Sequence, residues 1–408
     1  MKILYFHQHF STPAGSTGMR SYAMSQALTR AGHEVTMVCG SYHGGVSGLA
    51  GPFEKGVRKG WVDGIRVIEF ELSYSNYQGL LKRSLVFMKF ALRSIGVALA
   101  EPYDLLFATS TPLTAGIPGI FARWLRKKKF VFEVRDLWPE LPRAMGVVTN
   151  PAVLGLMSIL EWCSYRSAAS CIGLSPGIAE GIRRRAGKNR PVAMIPNGCD
   201  FELFDREDIG PVRPDGVGKD DFMAIFTGAH GIANGLDAVL DAAYVLKKQG
   251  RNDIKLVFIG DGKLKPALVR RAADQELDNC IFLDPVPKLE LLGYMKGADM
   301  GLMILANVPA FYFGTSPNKF FDYLAMGLPV LNNYPGWLAN MIQEHECGYA
   351  VEPDNPEAFA MALADAAANG KRLEKMGENA WKLGKTRFDR KALAREFVTW
   401  LEKTGGNH

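Results

Sequence analysis

Cysteine is scarce in this sequence, and none of it is arranged as a metal-binding or disulfide motif. The six cysteines are spread over 408 residues without a CxxC pair. Neither a zinc site nor a disulfide framework is therefore indicated. We expect reduced, mostly buried thiols.

Long uncharged apolar runs are also absent. No stretch reaches the ~18–20 apolar residues of a membrane-spanning helix. The apolar run within residues 1–10 is short and interrupted by histidines, unlike a signal peptide. We therefore expect a cytoplasmic protein without an integral membrane segment. Its content of 48% hydrophobic and 22% charged residues excludes a disordered, collagen-like or coiled-coil chain.

Two nucleotide-binding fingerprints are missing as well. The sequence contains neither a G-x-G-x-x-G string nor a Walker A string. A nicotinamide-dependent or ATP-hydrolysing enzyme thus loses its usual sequence support.

Positive charge is concentrated in the first half of the chain. Residues 1–200 carry 24 Lys and Arg against 13 Asp and Glu, a net charge of +11, and the remainder has a net charge of −5. This asymmetry indicates an anionic partner for one face of the protein. Nucleic acid, a membrane surface and a phosphorylated substrate each satisfy that requirement.

Short apolar strands alternate with amphipathic helices, as in the βαβ units of parallel sheets. The pattern starts at residues 3–6 and is repeated from residue 223 onward, so two doubly wound α/β domains are more economical than one very large sheet. The turn-rich string at 196–200 marks a boundary. We predict a first domain at 1–200, a second at 201–385, and a C-terminal helix in 386–408 that packs back on the first domain.

Three loops follow strands at positions where open parallel sheets bind ligands. The loop at 13–20 offers Gly15 and Ser16 to a phosphate, although an ordinary flexible loop explains it equally well. The loop at 227–235 is again rich in glycine. The third, GDG at 260–262, is typical of a plain turn after a buried strand.

The most informative segment spans residues 313–330. A Ser-Pro-Asn turn leads into a short helix with Lys319 in its first turn and Asp322 one turn later. A cation at a helix N-terminus opposes the helix dipole, which is tolerable if an anion such as a diphosphate binds there. Asp322 is suited to accept hydrogen bonds from sugar hydroxyls. Considered alone, the two side chains have the (i, i+3) spacing of a surface ion pair.

In the first half, charged and titratable residues follow two strands. Arg135 and Asp136 come directly after the strand at 130–134, and His7 follows the first strand. Buried charges are costly unless they are partnered, so we expect the Arg135–Asp136 pair at the edge of a ligand site. A single histidine such as His7 is more often structural than catalytic.

Several segments together resemble those of GT-B-fold glycosyltransferases of family 4, in the same order and over essentially the full chain. They are GS at 15–16, AGHEVT at 31–36, IPNGCD at 195–200, GDG at 260–262 and DYLAMGLPV at 322–330. VRDLWP at 134–139 and SPNK at 316–319 further resemble the WbuB-like branch. Those enzymes add N-acetylated amino sugars, such as N-acetyl-fucosamine, in the assembly of surface polysaccharides such as lipopolysaccharide.

The resemblance implies two Rossmann-like domains facing across a cleft and a retaining hexosyl- or N-acetylaminosugar transferase that uses neither a metal nor an organic cofactor. It places the UDP-sugar mainly on the second domain and the acceptor, a polyprenyl-diphosphate-linked sugar, mainly on the first. The family's two Glu match Gly314 and Asp322, and its phosphate-binding Arg and Lys match Ala229 and Asn234. Lys319 and the backbone N–H groups at 228–231 are the candidates to replace the missing cations.

The resulting candidate residues fall into two groups. The catalytic candidates are Asp136, His7 and Arg135. The candidates for nucleotide-sugar binding are Gly15, Ser16, Gly228, His230, Gly231, Val286, Thr315, Asn318, Lys319 and Asp322.

One stretch has the composition of an interfacial helix. Residues 80–95 have helical spacing and place Lys82 and Arg83 beside leucine, phenylalanine and methionine, although a core-packed helix explains the stretch almost equally well. A basic cluster adds Trp124, Lys127, Lys128 and Lys129. The charge of this half and the lipid-linked acceptors of the family favour peripheral binding to the anionic inner face of the plasma membrane.

Two alternatives remain at this point. A GT-B-fold sugar epimerase would turn over the UDP-sugar without an acceptor. A nucleic-acid-binding protein would use basic strings such as 127–129 and 183–185, but no recognised nucleic-acid motif accompanies them, so we expect no nucleic-acid partner.

Overall fold

The computed structural model describes residues 1–75, 77–187, 189–204 and 206–406. It divides into two compact units. The first unit contains Met1–Pro196, Gly314–Ser316 and the segment that begins at Lys391, and the second contains Asn197–Phe313 and Pro317–Arg390.

The first unit is built on one eight-stranded sheet. Its strands are β1 (Lys2–Phe6), β2 (Glu34–Tyr42), β3 (Val57–Val62), β4 (Ile65–Tyr74), β5 (Leu105–Thr109), β6 (Lys129–Val134), β7 (Ser170–Gly173) and β8 (Val192–Met194). Its helices are α1 (Arg20–Arg30), α2 (Leu80–Ala100), α3 (Ile117–Leu125), α4 (Glu140–Ala144), α5 (Pro151–Ser167) and α6 (Pro176–Ala186), with a 3-10 turn at Leu113–Gly116. The strand order is β3-β4-β2-β1-β5-β6-β7-β8.

Only the pair at one edge of this sheet is antiparallel. β3 and β4 form a hairpin closed by Asp63 and Gly64, both with positive φ. Asp-Gly is a preferred pair for such a two-residue turn because both residues tolerate that conformation. The sequence interpretation did not identify this hairpin, although its turn signal is present.

The second unit is built on a six-stranded parallel sheet. Its strands are β9 (Phe222–Thr227), β10 (Ile254–Ile259), β11 (Cys280–Leu283), β12 (Met300–Met303), β13 (Val330–Asn332) and β14 (Gly348–Ala350). Its helices are α7 (Phe201–Phe204), α8 (Asp237–Lys248), α9 (Lys265–Asp274), α10 (Lys288–Gly297), α11 (Pro309–Gly314), α12 (Asn318–Ala325), α13 (Trp337–Glu344), α14 (Pro356–Ala368) and α15 (Gly370–Arg387), with a 3-10 turn at Ile232–Asn234. The strand order is β11-β10-β9-β12-β13-β14.

Helices cover both faces of the first sheet, which explains why β5 is buried at every residue. α2, α3, α5 and α6 contribute to the core on one face, and α1 contributes to the core on the other. This arrangement confirms the predicted doubly wound architecture.

The final helix, α16 (Arg390–Gly405), packs on the same face of the first sheet as α1. The Phe397 ring lies 5.0 Å from the Phe107 ring, centroid to centroid. Near the helix end, His33 Nε2 lies 3.0 Å from Glu402 Oε1. The predicted return of the C-terminal helix to the first domain is therefore confirmed.

Candidate functional site

In the second unit, the loop after β9 packs tightly on the loop after β10. A Cβ atom at Gly260 would lie 1.9 Å from the Gly228 carbonyl oxygen, and one at Gly262 would lie 2.6 Å from the His230 carbonyl oxygen. Only glycine allows backbones to approach so closely. The GDG string, expected to be a plain turn, is instead required for the contact between these two loops.

The same contact uses two N–H groups that were predicted to hold a diphosphate. Gly228 N–H donates to the Ile259 carbonyl and His230 N–H donates to the Asp261 carbonyl, both at 2.9 Å. Within the described ranges, Ala229 and Gly231 show no such bond from their N–H groups. Of the four N–H groups predicted to bind a diphosphate, those of Ala229 and Gly231 therefore keep that prediction.

The His230 side chain packs in the core of the second unit. It is fully buried, with its ring centroid 5.9 Å from that of Phe226 and 6.3 Å from that of Phe282. Burial, reinforced by the charges of Lys265 and Lys319, lowers the pKa of His230 to about 4. The neutral ring is buried beneath this loop, and its predicted contact with the nucleotide sugar stays a prediction.

Lys319 is half-buried, and its ammonium group has no carboxylate partner among the residues described. Its Nζ donates to Asn234 Oδ1 at 2.9 Å and lies 3.7 Å from the centroid of the Phe226 ring. Burial lowers the pKa of Lys319 well below its usual value. A cation held by an amide oxygen and a ring face retains capacity for an anion.

The surroundings of Lys319 match the predicted substitution of the family's missing cations. Asn234 occupies the position that the resemblance gives to the family's Lys, and its Nδ2 donates to the carbonyl of Ala229 at 2.7 Å. A Cβ atom at Gly228 would lie 3.5 Å from Lys319 Nζ. The Lys319 side chain of α12 thus places its positive charge beside the loop after β9. The role of Lys319 as a phosphate ligand stays a prediction.

Asp322 is paired with a lysine that sequence reasoning missed. Lys288, the first residue of α10, donates through Nζ to Asp322 Oδ2 at 2.5 Å, and side-chain exposure is 17% for the lysine and 8% for the aspartate. The alternative of a surface ion pair between Lys319 and Asp322 is therefore wrong. The available signal for Lys288 was its position two residues after Val286, a candidate for nucleotide-sugar binding.

The helix that carries Lys319 and Asp322 is fixed to the sheet by a buried tyrosine. Tyr323 accepts a hydrogen bond from Thr227 N–H and donates to the Ile225 carbonyl, both at 3.1 Å. Tyr323 and Lys319 are four residues apart, so they lie on the same side of α12. Anchoring on β9 therefore sets the position of the lysine.

The remaining predicted donor-binding residues lie on connecting segments. Val286 is half-buried between β11 and α10, and Asn318 is half-buried as the first residue of α12. Thr315 is buried within Gly314–Ser316, the segment grouped with the first unit. Their roles stay predictions.

In the first unit, His7 and Arg135 meet beyond the carboxyl ends of β1 and β6. Arg135 Nη1 lies 3.1 Å from His7 Nε2. Because arginine only donates, Nε2 is the acceptor and the proton of the neutral ring is on Nδ1. Burial, followed by the charge of Arg135, lowers the pKa of His7 well below its usual value. Nδ1 is buried without a hydrogen-bond partner in the described part of the chain.

Asp136 lies beside Thr111 instead of pairing with Arg135. The Thr111 hydroxyl donates to Asp136 Oδ2 at 3.0 Å, and the Thr111 carbonyl lies 3.1 Å from His9 Nδ1. Burial raises the pKa of Asp136, while Thr111 and Arg135 oppose the rise. A carboxylate with a raised pKa is better suited to accept a proton near neutral pH than His7, whose Nε2 is occupied.

The glycine-rich loop after β1 is occupied by contacts within the unit. Gly15 N–H donates to the Thr12 carbonyl and Ser16 N–H donates to the Gly44 carbonyl, both at 3.1 Å. A Cβ atom at Gly15 would lie 2.2 Å from Ser11 Oγ. These N–H groups therefore do not face a phosphate in this conformation, and the exposed Ser16 hydroxyl bonds to Gly44 as well.

A fully buried ion pair joins α1 to β6, the strand that leads into Arg135 of the first-unit site. Arg20 Nε and Nη2 donate to Glu133 Oε2 at 3.1 and 2.8 Å, and the remaining donors reach the carbonyls of Pro196 and Ile195. Thr109 donates to the other carboxylate oxygen of Glu133. Sequence reasoning missed this pair because nothing in the local pattern around Arg20 shows that it is buried.

The predicted membrane-contact residues are placed differently from one another. Lys82, Trp124 and Lys127 are exposed, whereas Arg83 is half-buried with its guanidinium 5.7 Å from the Tyr74 ring centroid. Lys128 lies 5.6 Å from the Tyr103 ring centroid. Lys129 donates to the carbonyl of Gly405. Arg83 and Lys129 thus have contacts inside the unit, and their predicted contact with a membrane stays a prediction.

Both units match domain models of glycosyltransferases. Residues 15–198 match the glycosyl transferase 4-like domain, and residues 213–383 match the domain of glycosyl transferases group 1. The amylovoran biosynthesis glycosyltransferase AmsK of Erwinia amylovora is 28% identical over 131 residues. That match spans 32% of this chain and 31% of the relative's own length.

Solved structures of GT-B glycosyltransferases share the fold along nearly the whole chain. Sucrose-phosphate synthase of Thermosynechococcus elongatus is 18% identical with a TM-score of 0.74, and 98% of each chain is covered. Anabaena HepE, in complex with UDP-glucose, is 16% identical with a TM-score of 0.68, covering 99% of this chain and all of that one. At these identities the likeness shows the fold alone.

These matches define the class of the protein and then its family. The two α/β units have the GT-B fold. The two matched domain models together account for most of the sequence, and the chain belongs to the glycosyltransferases of the GT4-like and group 1 type.

Proposed function

We propose that the protein is a retaining glycosyltransferase, independent of metal ions and organic cofactors, that transfers a sugar from UDP to an acceptor hydroxyl. The observation that carries this proposal is the half-buried Lys319 ammonium, which has no carboxylate partner among the described residues and lies in the domain that also holds the Lys288–Asp322 pair. A diphosphate supplies the negative charge that this position lacks, and it becomes more negative as the sugar departs.

The proposed reaction exchanges one bond for another at the anomeric carbon. The acceptor oxygen forms a bond to that carbon on the face from which the UDP oxygen leaves. UDP departs with the bonding electron pair, and the acceptor proton passes to its phosphate. Lys319 stabilises the leaving diphosphate, and Asp322, oriented by Lys288, accepts hydrogen bonds from the ribose hydroxyls.

In the first unit, we assign acceptor binding to the residues beyond β1 and β6. His7 offers a buried Nδ1–H donor, held in that tautomer by Arg135. Asp136 offers a carboxylate with a raised pKa. A sugar hydroxyl needs both a donor and an acceptor when it is taken out of water, and this pair of groups provides them.

The finer specificity is also a proposal. The motifs at 134–139 and 316–319 resemble the WbuB-like branch, which supports an N-acetylated amino or deoxyamino sugar as the transferred group. The name of the AmsK relative, an amylovoran biosynthesis enzyme, supports bacterial surface glycan assembly. We propose a polyprenyl-diphosphate-linked acceptor at the cytoplasmic face of the plasma membrane.

A panel of UDP-sugars, incubated with and without lipid-diphosphate-linked acceptors, tests the proposed reaction. We expect a glycosylated lipid that forms only when the donor and the acceptor are both present and that retains the donor's anomeric configuration. Consumption of a UDP-sugar at the same rate without acceptor, with release of free sugar, would instead establish the epimerase.

Replacing Asp322 with alanine is expected to weaken binding of UDP without weakening binding of pyrophosphate. The expected loss for UDP is ~1.5–3 kcal/mol, the range for a hydrogen bond to a charged group. Pyrophosphate has no ribose, so it does not make this contact. Titration calorimetry with both ligands measures the difference, and equal losses for UDP and pyrophosphate would contradict the ribose assignment.

A further inference from the structure

We infer that α2, α3 and α5 of the first unit form one surface that inserts into an anionic lipid bilayer. Thirteen of the 25 exposed large apolar side chains among the described residues lie on these three helices. We call them the three-helix face: Leu80, Leu81, Leu85, Met88, Leu92, Leu99, Phe121, Trp124, Leu125, Val153, Leu156, Ile159 and Trp162.

α2 is apolar on both of its sides. Phe90, Ala91 and Ala98 face the core. On the outer side, Leu81 is 76% exposed, Leu85 62% and Leu92 61%, at intervals of four and seven residues that align on one side of a helix. A helix of a water-soluble surface carries polar residues there. The outer stripe of α2 therefore favours an apolar environment.

α3 and α5 extend the same surface. Trp124 on α3 is 66% exposed, and Leu156 and Ile159 on α5 are 69% and 61% exposed. α2 packs against α3 and α3 packs against α5. The Trp124 indole donates to Ser167 Oγ at the end of α5. The apolar side chains thus belong to neighbouring helices on one face of the sheet.

The charge on the three-helix face has one sign. Lys82, Lys89, Arg123 and Arg166 are exposed on these helices, and the exposed Lys127 lies two residues beyond the end of α3. The only acidic residue within the three helices is Glu161, which is buried and paired with Arg185. A surface that binds at the interface of anionic lipid typically has leucine and tryptophan side chains surrounded by Lys and Arg.

This charge pattern also argues against a second copy of the chain as the occupant. A two-fold contact would place the same basic residues opposite each other, with no exposed carboxylate on these helices to pair with them. An acidic headgroup layer neutralises the basic residues, and the acyl boundary beneath it accepts the apolar ones.

The depth of insertion is limited, and the surface continues into the first-unit site. In the part of the chain that the structure describes, no helix has the length and hydropathy to cross a bilayer. Phe87 on α2 packs against Tyr74 and His9, with centroid separations of 5.4 and 6.3 Å. A bilayer on the three-helix face therefore lies next to the residues assigned to the acceptor.

Sedimentation with phosphatidylcholine vesicles, with and without phosphatidylglycerol, tests the inference. We expect the full chain to bind the anionic vesicles and not the neutral ones. The double variant Leu85→Gln, Leu156→Gln should partition about a hundredfold more weakly, since each leucine that enters the apolar layer contributes at least ~1.4 kcal/mol, a factor of about ten. Met361→Gln, on α14 and 66% exposed, is the matched control and should bind like the wild type.

Fluorescence quenching distinguishes insertion from adsorption. Brominated lipid in the anionic vesicles should quench the tryptophan emission, and the variant Trp124→Phe, Trp162→Phe should lose most of that quenching. Equal vesicle binding of the leucine variant and the Met361 control would overturn the inference, as would self-association that the leucine variant abolishes. UDP affinity, measured by calorimetry, should be the same in all these variants, so failure here leaves the proposed transfer reaction intact.

Discussion

Replacing Lys319 with methionine is expected to stabilise the ligand-free protein and to weaken its binding of UDP. The half-buried ammonium has no carboxylate partner among the described residues, and desolvation lowers its pKa. A methionine of similar length removes that desolvation cost, so we expect a gain of ~1 kcal/mol, equivalent to roughly 2–4 °C in the melting temperature of a domain of this size. Loss of the charge should reduce UDP affinity by ~1.5–3 kcal/mol.

Lys288→Met is the matched control for this prediction. Lys288 is also a largely buried lysine of the second unit, but it pairs with Asp322. Its removal leaves a buried carboxylate without its cation, so this variant should melt at a lower temperature than the wild type. Thermal melts and UDP titrations of both variants decide the matter. A fall in melting temperature for Lys319→Met would show that the ammonium is satisfied within the protein.

Binding of UDP should also depend on pH through Lys319. Because its pKa in the free protein is lowered, the ammonium is lost at a lower pH than that of an ordinary lysine. A bound diphosphate favours the protonated form, so affinity should weaken as pH rises through the free-protein pKa. Calorimetry in buffers of different ionisation enthalpy should show proton uptake on binding, and Lys319→Arg should abolish it because arginine stays charged.

Glu133→Ala is expected to be the most destabilising single change in the first unit. It leaves the fully buried Arg20 guanidinium without its carboxylate and removes the acceptor of the Thr109 hydroxyl. Breaking a buried pair in this way costs ~3–5 kcal/mol. The control is Glu180→Ala, because Glu180 is 54% exposed and lies 3.6–3.9 Å from its arginines, where a loss under ~1 kcal/mol is expected.

The contribution of Glu133 should disappear in acid. Burial alone would raise its pKa, but the charge and hydrogen bonds of Arg20 outweigh burial and lower it. A depressed carboxyl pKa stabilises the fold above the unfolded-state pKa and loses that effect as pH falls through the folded-state pKa. Urea denaturation across acidic pH should therefore show the wild type approaching Glu133→Ala at the lowest values.

The periodicity of apolar residues was sufficient to predict the architecture. Buried parallel strands are short continuous apolar runs, so the strands predicted to start the two domains, at 3–6 and from 223, are observed within one residue as Lys2–Phe6 and Phe222–Thr227. The final helix was predicted within 386–408 and is observed as Arg390–Gly405. The β3–β4 hairpin was not predicted because its edge strand, β3, is mostly half-buried or exposed and lacks such a run.

Site residues could be predicted from the sequence where the unusual feature lies within a few residues of them, and were missed where it depends on a distant partner. Lys319 stood out because a cation at the N-terminus of its own helix opposes a local dipole. Lys288 and Arg20 carried no local anomaly, since their partners Asp322 and Glu133 are 34 and 113 residues away. The loop amides were misjudged for the same reason, because the Ile259 and Asp261 carbonyls that accept from them belong to another loop.

The sequence by itself determined the two wound sheets, the family and the lysine on α12, because each depends on spacing within a few turns of chain. Only the tertiary structure decided which of those groups are free. The N–H groups of Gly228 and His230 donate to carbonyls of a neighbouring loop, the ring of His230 is buried, and Asp322 pairs with Lys288. The tertiary structure also left the outer side of α2 exposed beside α3 and α5, a face that exists only when three helices separated in sequence are placed side by side on one sheet.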